Sequence, residues 1–329
     1  MRIIVDAMGG DNSIQATALG SVEAVEELDL EVTLIGKKDL IEKELNKNNY
    51  TGNKIEIIHA EDTILNEDSP TLSIRRKKNS SMVIGFNKLK EGYGDAFIST
   101  GNTGALLTGG LFIIKRIEGI DRAAISSVYP TRDGMTLLLD MGANVDCKPE
   151  YLQQFAIMGS IYSEKVLGVK SPSVGLVNVG TEKEKGNILI KEAYELLANS
   201  NINFYGNIEA RDVPEGIADV MVCDGFVGNV ILKLTEGLAN LFFSTLKEEF
   251  KKSFSSKIGA LMLKSQLKSF KERFDYREYG GAPLLGVRKP IIKAHGSSDG
   301  LAIKNAIKQA KIFTEGKVID RIEEDVKKI

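Results

Sequence analysis

Asp95-Ala96-Phe97-Ile98-Ser99-Thr100-Gly101-Asn102-Thr103-Gly104-Ala105-Leu106-Leu107 reads as a strand, a turn and a helix in immediate succession. The strand, Asp95-Ser99, is apolar along its middle rather than alternating, which marks a strand covered on both faces. The cluster that follows holds two glycines and four small polar residues. Asn102 or Thr103 is placed to cap a helix over Thr103-Lys115, which would leave N–H groups and a positive dipole end facing outward.

The same pattern recurs along the chain. Strands are expected at Ile3-Asp6, Val32-Ile35, Lys54-Ile58, Ile125-Tyr129, Thr136-Asp140, Ser173-Asn178, Ile202-Tyr205 and Asp219-Cys223. Helices are expected at Ile14-Leu28, Asp39-Asn48, Thr71-Lys90, Pro149-Val166, Asn187-Ala198, Val227-Phe250 and Leu301-Phe313. Alternation of this kind specifies an α/β fold, an open and mostly parallel sheet with helices on both faces. No repeat or linker divides residues 1–329, so they are expected to form one catalytic unit, or two subdomains interwoven by exchange within the sheet. Polar loops end five strands: Asp6 to Asp11, Ser99 to Gly104, Asp140 to Asn144, Asn178 to Thr181, and Asp224 to Asn229. In a parallel sheet such loops gather at the carboxyl edge, where glycine lets backbone approach a ligand and Ser, Thr and Asn supply neutral donors.

Composition narrows the chemistry. The 329 residues carry 43 basic and 45 acidic side chains, a formal charge of −2, which argues against nucleic-acid binding driven by overall charge. The start meets Asp6 after three apolar residues, too soon for a signal peptide, and no stretch approaches the roughly 20 apolar residues of a membrane span. A cytoplasmic protein is expected. Cys147 and Cys223 lack the spacing of a zinc site and are read as buried small residues, and His59 as structural. Neither a Walker A sequence nor a Gly-x-Gly-x-x-Gly fingerprint is present. No metal and no cofactor is expected.

Arg75-Arg76-Lys77-Lys78 sets four cations in one expected helical turn with no acid beside them. Arg75 and Lys78 would share a face, either as contacts to phosphate or phosphopantetheine or as a solvated surface. Lys183 and Lys185 lie among glutamates in the loop after Ser173-Asn178, and His295 is the histidine that opens a later polar loop, His295-Gly296-Ser297-Ser298. This inventory offers anion-binding groups and neutral donors without a convincing covalent nucleophile. It suits attack by phosphate on a thioester, since phosphate is ionised and a thiol leaves readily.

A second feature is basic and amphipathic. Residues 247–274 carry eight cations against three acids, with Phe250, Phe254, Ile258, Leu261, Met262, Leu267, Phe270 and Phe274 interleaved and a bend expected at Ser255-Ser256 and Gly259. Such a protrusion can lie on an anionic membrane through Ile258, Leu261 and Met262, or pack as a helix pair in a core or dimer interface.

Asp6-Ala-Met-Gly-Gly-Asp11, Arg75-x-Lys-Lys-x-Ser-Ser-Met82, Gly101-Asn-Thr-Gly-Ala-Leu-Leu107, Asp140-Met-Gly-Ala-Asn144, Gln154-Phe-Ala-x-Met-Gly159, Gly206-Asn-Ile-Glu209, Cys223-Asp-Gly-Phe-Val-Gly-Asn229, Glu278-Tyr-Gly-Gly-Ala-Pro-Leu-Leu-Gly286 and His295-Gly-Ser-Ser298 together resemble the bacterial acyl-ACP:phosphate acyltransferase family (ACP, acyl carrier protein), nearly end to end and in order. Ala123 after Arg122, where the family has proline, and Ser73, where alanine is common, depart from the pattern. The resemblance implies an isocitrate/isopropylmalate dehydrogenase-like fold, a homodimer, and acyl-ACP as donor to inorganic phosphate in phospholipid synthesis. It also implies hand-over of the acyl-phosphate to a membrane glycerol-3-phosphate acyltransferase, and so a cytoplasmic protein bound peripherally to the cell membrane. By position it gives Lys185 and Asn229 the chemistry, and Arg75, Lys78, Asn102, Thr103, Asn144, Lys183 and His295 contacts to phosphate or substrate.

Two other classes remain open. A metal- and NAD(P)-dependent dehydrogenase of related fold would need clustered carboxylates such as Asp219 and Asp224. A non-catalytic membrane scaffold would leave the polar loops without a purpose.

Overall fold

The computed structural model describes residues 1–273 and 279–328; Phe274 and Glu278 lie outside them, as do the side chains of Ser269, Lys271, Glu272 and Arg273. Eleven strands form one sheet: β1 (Arg2–Asp6), β2 (Glu31–Gly36), β3 (Ile55–His59), β4 (Ala96–Ser99), β5 (Ala124–Pro130), β6 (Met135–Leu139), β7 (Ser173–Asn178), β8 (Asn203–Glu209), β9 (Val220–Val222), β10 (Ala282–Leu285) and β11 (Ile291–Lys293). Their order across the sheet is β3-β2-β1-β4-β11-β10-β5-β6-β9-β7-β8.

Nine strands lie where the sequence places them. The two additional ones, β10 and β11, occupy the middle of the sheet and join its halves. The sheet is also less uniform than expected. β1 to β4 and β11 are parallel, β10 runs against both β11 and β5, and β5 runs against β6. β6, β9, β7 and β8 are parallel again. It follows that the two halves run in opposite directions and that their carboxyl ends lie on opposite edges. The five polar loops therefore form two groups rather than one.

Twelve α-helices lie among the described residues: α1 (Ser13–Glu27), α2 (Lys38–Lys47), α3 (Pro70–Arg76), α4 (Ser81–Lys90), α5 (Thr103–Gly109), α6 (Pro149–Lys165), α7 (Ile188–Ala198), α8 (Gly225–Lys251), α9 (Phe254–Met262), α10 (Lys264–Arg273), α11 (Gly300–Glu315) and α12 (Val318–Val326). The expected helix Thr71-Lys90 is two helices. α3 stops at Arg76, and the Ser80 side chain accepts from Val83 N–H to start α4 afresh. The expected Thr103-Lys115 helix is α5 followed by a π-helical stretch over Gly110–Ile114. In the basic segment the breaks fall at Ser253, which caps α9, and at Leu263; α9 runs straight through Ser255, Ser256 and Gly259.

Successive strand residues feed opposite faces. Ile3, Val5 and Ile98 enter a core with α1 and α11, while Ile4, Phe97 and Ile291 enter another with α4 and α5. In the second half Leu137, Leu139, Val174 and Val222 pack against α6 and α12, and Leu138, Val177 and Met221 face α8. α8 packs on this last face through Val227 and Ile231. Its first turns meet the loop after β6, and further along Thr235 Oγ1 lies 3.0 Å from Tyr129 Oη of β5.

Candidate active site

On the β1–β4 side, three loops interlock at one edge of the sheet. Asp11 N–H donates to Gly296 O at 2.8 Å, and Thr100 Oγ1–H donates to Gly9 O. Gly10 adopts φ +83°, with its α-carbon so close to Gly296 and Thr100 that a side chain has no room. Beneath them Asp6 is buried. Its carboxylate accepts from Ser99 Oγ–H at 2.7 Å and from Met8 N–H at 3.1 Å. Burial raises its pKa, against the opposing pull of Ser81, Ser99, Met8 and Lys293.

At the other edge a second buried carboxylate, Asp140, organises the loop after β6. It accepts from the backbone N–H groups of Ile125 at 3.0 Å, Ala143 at 3.3 Å and Asn144 at 2.6 Å, and from Asn144 Nδ2 at 2.9 Å. Gly225 N–H donates to Asn144 O at 2.7 Å, docking the start of α8 on this loop, and Asp224 caps the helix by accepting from Val227 N–H. Gly142, at φ +121°, faces the Asn229 side chain. Asn178 holds the loop after β7: its amide donates to Lys185 O at 3.2 Å and its Oδ1 accepts from Val179 N–H at 2.8 Å. Asn207 Nδ2 fastens the same loop at Glu182 O, 2.9 Å away.

Between the two groups of loops, over β5 and β10 and under α8, lies a pocket of about 520 Å³. Its lining combines apolar side chains, among them Ile125, Val128, Met141 and Leu232, with Thr103, Asn229, Lys233, Lys293, His295 and Ser297. His295 Nδ1 lies 2.8 Å from Ser297 Oγ and accepts from Ser297 N–H at 3.2 Å. Burial and the cations Lys293 and Lys233 lower the pKa of His295, favouring a neutral ring. A larger polar groove of about 1040 Å³ lies elsewhere, between α6, α12 and the loops before β7 and β8, and holds none of the residues singled out by the sequence.

Of those residues, the pocket gathers Asn229, Thr103 and His295. Asn102 is committed to structure: its Oδ1 accepts from Ala105 N–H, and its amide donates to the carbonyls of Leu65, Asn66 and Asp68. Asn144 likewise spends its amide on Asp140 and on Ala123 O. Arg75 and Lys78 do not share a helical face, because α3 ends between them, and Lys77 has an acid partner after all in Asp68, 2.5 Å away. Lys183 pairs with Glu195 at 2.7 Å and stands over the Tyr194 ring. Lys185 is exposed on its fastened loop and is not among the pocket's lining. Because β6, β9 and β7 are parallel neighbours, its loop leaves the same edge as those of Gly142 and Asp224. Sequence reasoning passed over Lys233 and Lys293. The available signal was a lysine ending the apolar run Ile291-Ile292, a strand the sequence reading did not place.

Neither thiol suits nucleophilic attack. Burial pushes Cys147 up to about 12, and Cys223, wholly buried, rises well above its usual value for the same reason. Asp219 is tied to Ser173 through its backbone N–H and hydroxyl, and Asp224 caps α8, so these carboxylates are occupied separately. Among the described residues no group of three or more His, Cys, Asp or Glu could hold a metal ion.

The architecture is that of the phosphotransacylases and of dehydrogenases with the same open sheet. A phosphotransacetylase from Streptococcus pyogenes superposes with a TM-score of 0.64 at 16% identity, covering 95% of this chain and 94% of that one. A 4-hydroxythreonine-4-phosphate dehydrogenase from Klebsiella pneumoniae gives 0.54 at 13%, covering 95% and 99%. At such identities the likeness is one of fold.

The chain belongs to the family described as fatty acid synthesis protein, whose model matches residues 1–321. Its curated relatives are phosphate acyltransferases: that of Alkaliphilus oremlandii is 58% identical over 99% of this chain and 97% of its own length, and that of Clostridioides difficile 51% identical over 100% and 97%. It is an acyltransferase of this family.

Proposed function

We propose that the pocket transfers a fatty acyl group from acyl-ACP to inorganic phosphate by direct attack, with no acyl-enzyme. The observation that carries this reading is a pocket lined by apolar side chains together with amide, hydroxyl and cationic groups, with both cysteines held as thiols outside its lining. A phosphate oxygen attacks the thioester carbonyl, the C–O bond forms, the C–S bond breaks, and the thiolate leaves and takes a proton from solvent. Asn229, opposite Gly142, donates to the developing oxyanion; Lys185, on the neighbouring loop, neutralises phosphate as it adds. Thr103 and His295 complete the phosphate side, and Arg75 and Lys78, both exposed at the end of α3 and just beyond it, meet the carrier's phosphopantetheine or its acidic surface.

The same reading gives α8 to α10 their work. α8 turns Asn229, Lys233, Glu236 and Asn240 to the pocket and leaves Val230, Leu234, Leu238 and Leu241 exposed. Over its 27 residues it is long and apolar enough to cross a membrane by length and composition, unlike the expectation from sequence, yet four polar side chains on one face suit a pocket wall better than lipid. Its bare apolar stripe, spaced at four and three residues, fits a second copy in a homodimer. α9 has no buried residue; Leu261 and Met262 are 70% and 77% exposed, with Phe254 and Ile258 on the same helix. That exposure disfavours core packing and supports contact of Ile258, Leu261 and Met262 with an anionic membrane. A cytoplasmic enzyme docked there would release its labile acyl-phosphate beside a membrane glycerol-3-phosphate acyltransferase.

The test is to incubate the protein with palmitoyl-ACP and phosphate and trap the product with hydroxylamine. Phosphate-dependent hydroxamate, with no acyl adduct in the intact mass of the enzyme, is expected. An acyl adduct formed before phosphate is added would overturn direct attack, and absence of hydroxamate would overturn the reaction.

A further inference from the structure

The end of β11 brings a lysine to the edge of the pocket in an unusual electrostatic setting. Lys293 is partly buried, and its Nζ donates to Thr100 O at 3.1 Å and to Ala294 O, both uncharged. Among the described residues no carboxylate lies within ion-pair distance of it. Glu236, the one acid among the described residues that line the pocket, is taken by Lys233 at 2.7 Å. Asp6 acts on Lys293 only from a distance, its own oxygens being occupied by Ser99 and Met8. An ammonium group has three donors, and two are used. Withdrawing a cation from water without a counter-charge is costly, so a site built this way is completed by an anion.

The surroundings say which anion. Thr103, His295 and Ser297 line the pocket with Lys293, supplying hydroxyl and imidazole groups, while Lys233 is paired with Glu236. Compact hydroxyl donors beside the Lys293 ammonium group suit a tetrahedral phosphoryl group. Lys293 is held rather than free to swing: Ala294 N–H donates to Ser99 O at 3.0 Å, and β11 pairs with β4 through Lys293 and Ser99. Burial, with Lys233 adding to it, pushes the ammonium down to about 8 while Asp6 pulls it up, so an arriving anion strengthens its hold on the proton.

We infer that Lys293, backed by the Asp6–Ser99 pair, is the anchor for a phosphoryl group at the β11 end of the pocket. The inference rests on the acyl-transfer reading and deepens it. The phosphoryl group belongs either to inorganic phosphate or to the phosphodiester of the carrier's phosphopantetheine arm, and kinetics separate the two.

Lys293→Met keeps the side-chain length and removes the charge. If the anion is inorganic phosphate, the KM for phosphate rises about 10- to 100-fold, as loss of a charge-assisted hydrogen bond in a partly buried site requires, while the KM for acyl-ACP stays within about twofold. If it is the arm, the KM for acyl-ACP rises instead. Lys293→Arg, which restores the charge, recovers part of either loss. Unchanged kinetics in a folded Lys293→Met protein, with the wild type making hydroxamate, overturns the anchor and leaves the reaction standing. Absence of hydroxamate from the wild type is instead a failure of the reaction. The unaltered enzyme gives an independent check: trinitrobenzenesulfonate labelling of Lys293, followed by peptide mass spectrometry, is slowed by inorganic phosphate or by phosphopantetheine. Labelling indifferent to both overturns the proposal.

Discussion

Replacing Gly225 with alanine tests the joint on which the pocket depends. A β-carbon at Gly225 would lie 2.7 Å from Asn144 O and 3.0 Å from Asn144 C and N, all backbone atoms that cannot rotate away. Ordinary contact begins near 3.4 Å, so α8 and the Asp140–Asn144 loop must part by about 0.5 Å or more. That lengthens the Gly225 N–H to Asn144 O bond and disturbs a loop whose other groups satisfy buried Asp140. Overpacking of this kind costs about 1–3 kcal/mol, and the helix-propensity gain of alanine returns less than 1 kcal/mol. A net loss of about 1–2 kcal/mol lowers the melting temperature by about 2–6 °C. Because Asn229 sits one turn along, a shift of about half an ångström there should cost about tenfold in kcat/KM. Gly259→Ala is the control: it lies within α9, outside the pocket, with open space around it, and the substitution should raise stability by about 0.5–1 kcal/mol with activity unchanged. Thermal melts and the hydroxamate assay on both variants decide it. A Gly225→Ala protein that melts no lower than wild type, with kcat/KM within about twofold, would refute the close-approach argument.

Lys185→Ala should lower turnover about 100-fold, whereas Lys183→Ala, whose cation is spent on Glu195 and Tyr194, should leave it within about twofold; equal losses would remove the distinction. The KM for whichever phosphoryl-bearing substrate Lys293 anchors should rise as pH passes through about 8, because the ammonium binds an anion below its pKa and the neutral amine above it does not. Asp6 from β1, Lys233 and Glu236 from α8, and His295 are the ionisable groups around it, and a flat profile between pH 7 and about 9 would contradict the assignment. Substituting Leu261→Glu together with Met262→Glu should abolish flotation with anionic phosphatidylglycerol vesicles without slowing turnover on soluble acyl-ACP. Flotation equal to wild type would remove α9 from the membrane.

Much of the fold was legible in the sequence because its strands are continuous apolar runs and its helices carry clear caps. Asn102, one of the two caps expected there, accepts from a backbone N–H three residues on, and Asn187 and Asp224 do the same at the starts of α7 and α8. The centre of the sheet was not legible. β10 is four residues with Pro283 inside it, and β11 only three, too short for any periodicity to register. Missing them concealed how the two halves join, through β10 running against both β11 and β5; the reversal of direction itself comes at the antiparallel β5–β6 pair. The site was legible in part for a related reason. Polar residues in strand-end loops announce donors, but the same residues satisfy backbone, and only coordinates show that Asn102 and Asn144 are consumed while Asn229 faces the pocket. The break after Arg76 had a readable marker in Ser80, but the run of cations around it drew the reading toward one helix.

The placement of β11 has a consequence for synthesis on the ribosome. β4 is entirely buried in the finished protein, and its partner on one side, Ile291–Lys293, follows it by some 190 residues. At about 5–20 residues per second, the nascent chain carries that apolar strand edge uncovered for roughly 10–40 s. An unpaired edge is a template for joining other chains, so the N-terminal half should depend on holdase chaperones until the last fifth of the polypeptide emerges. Truncation before residue 282 would make that exposure permanent, since neither β10 nor β11 would then exist to close the sheet.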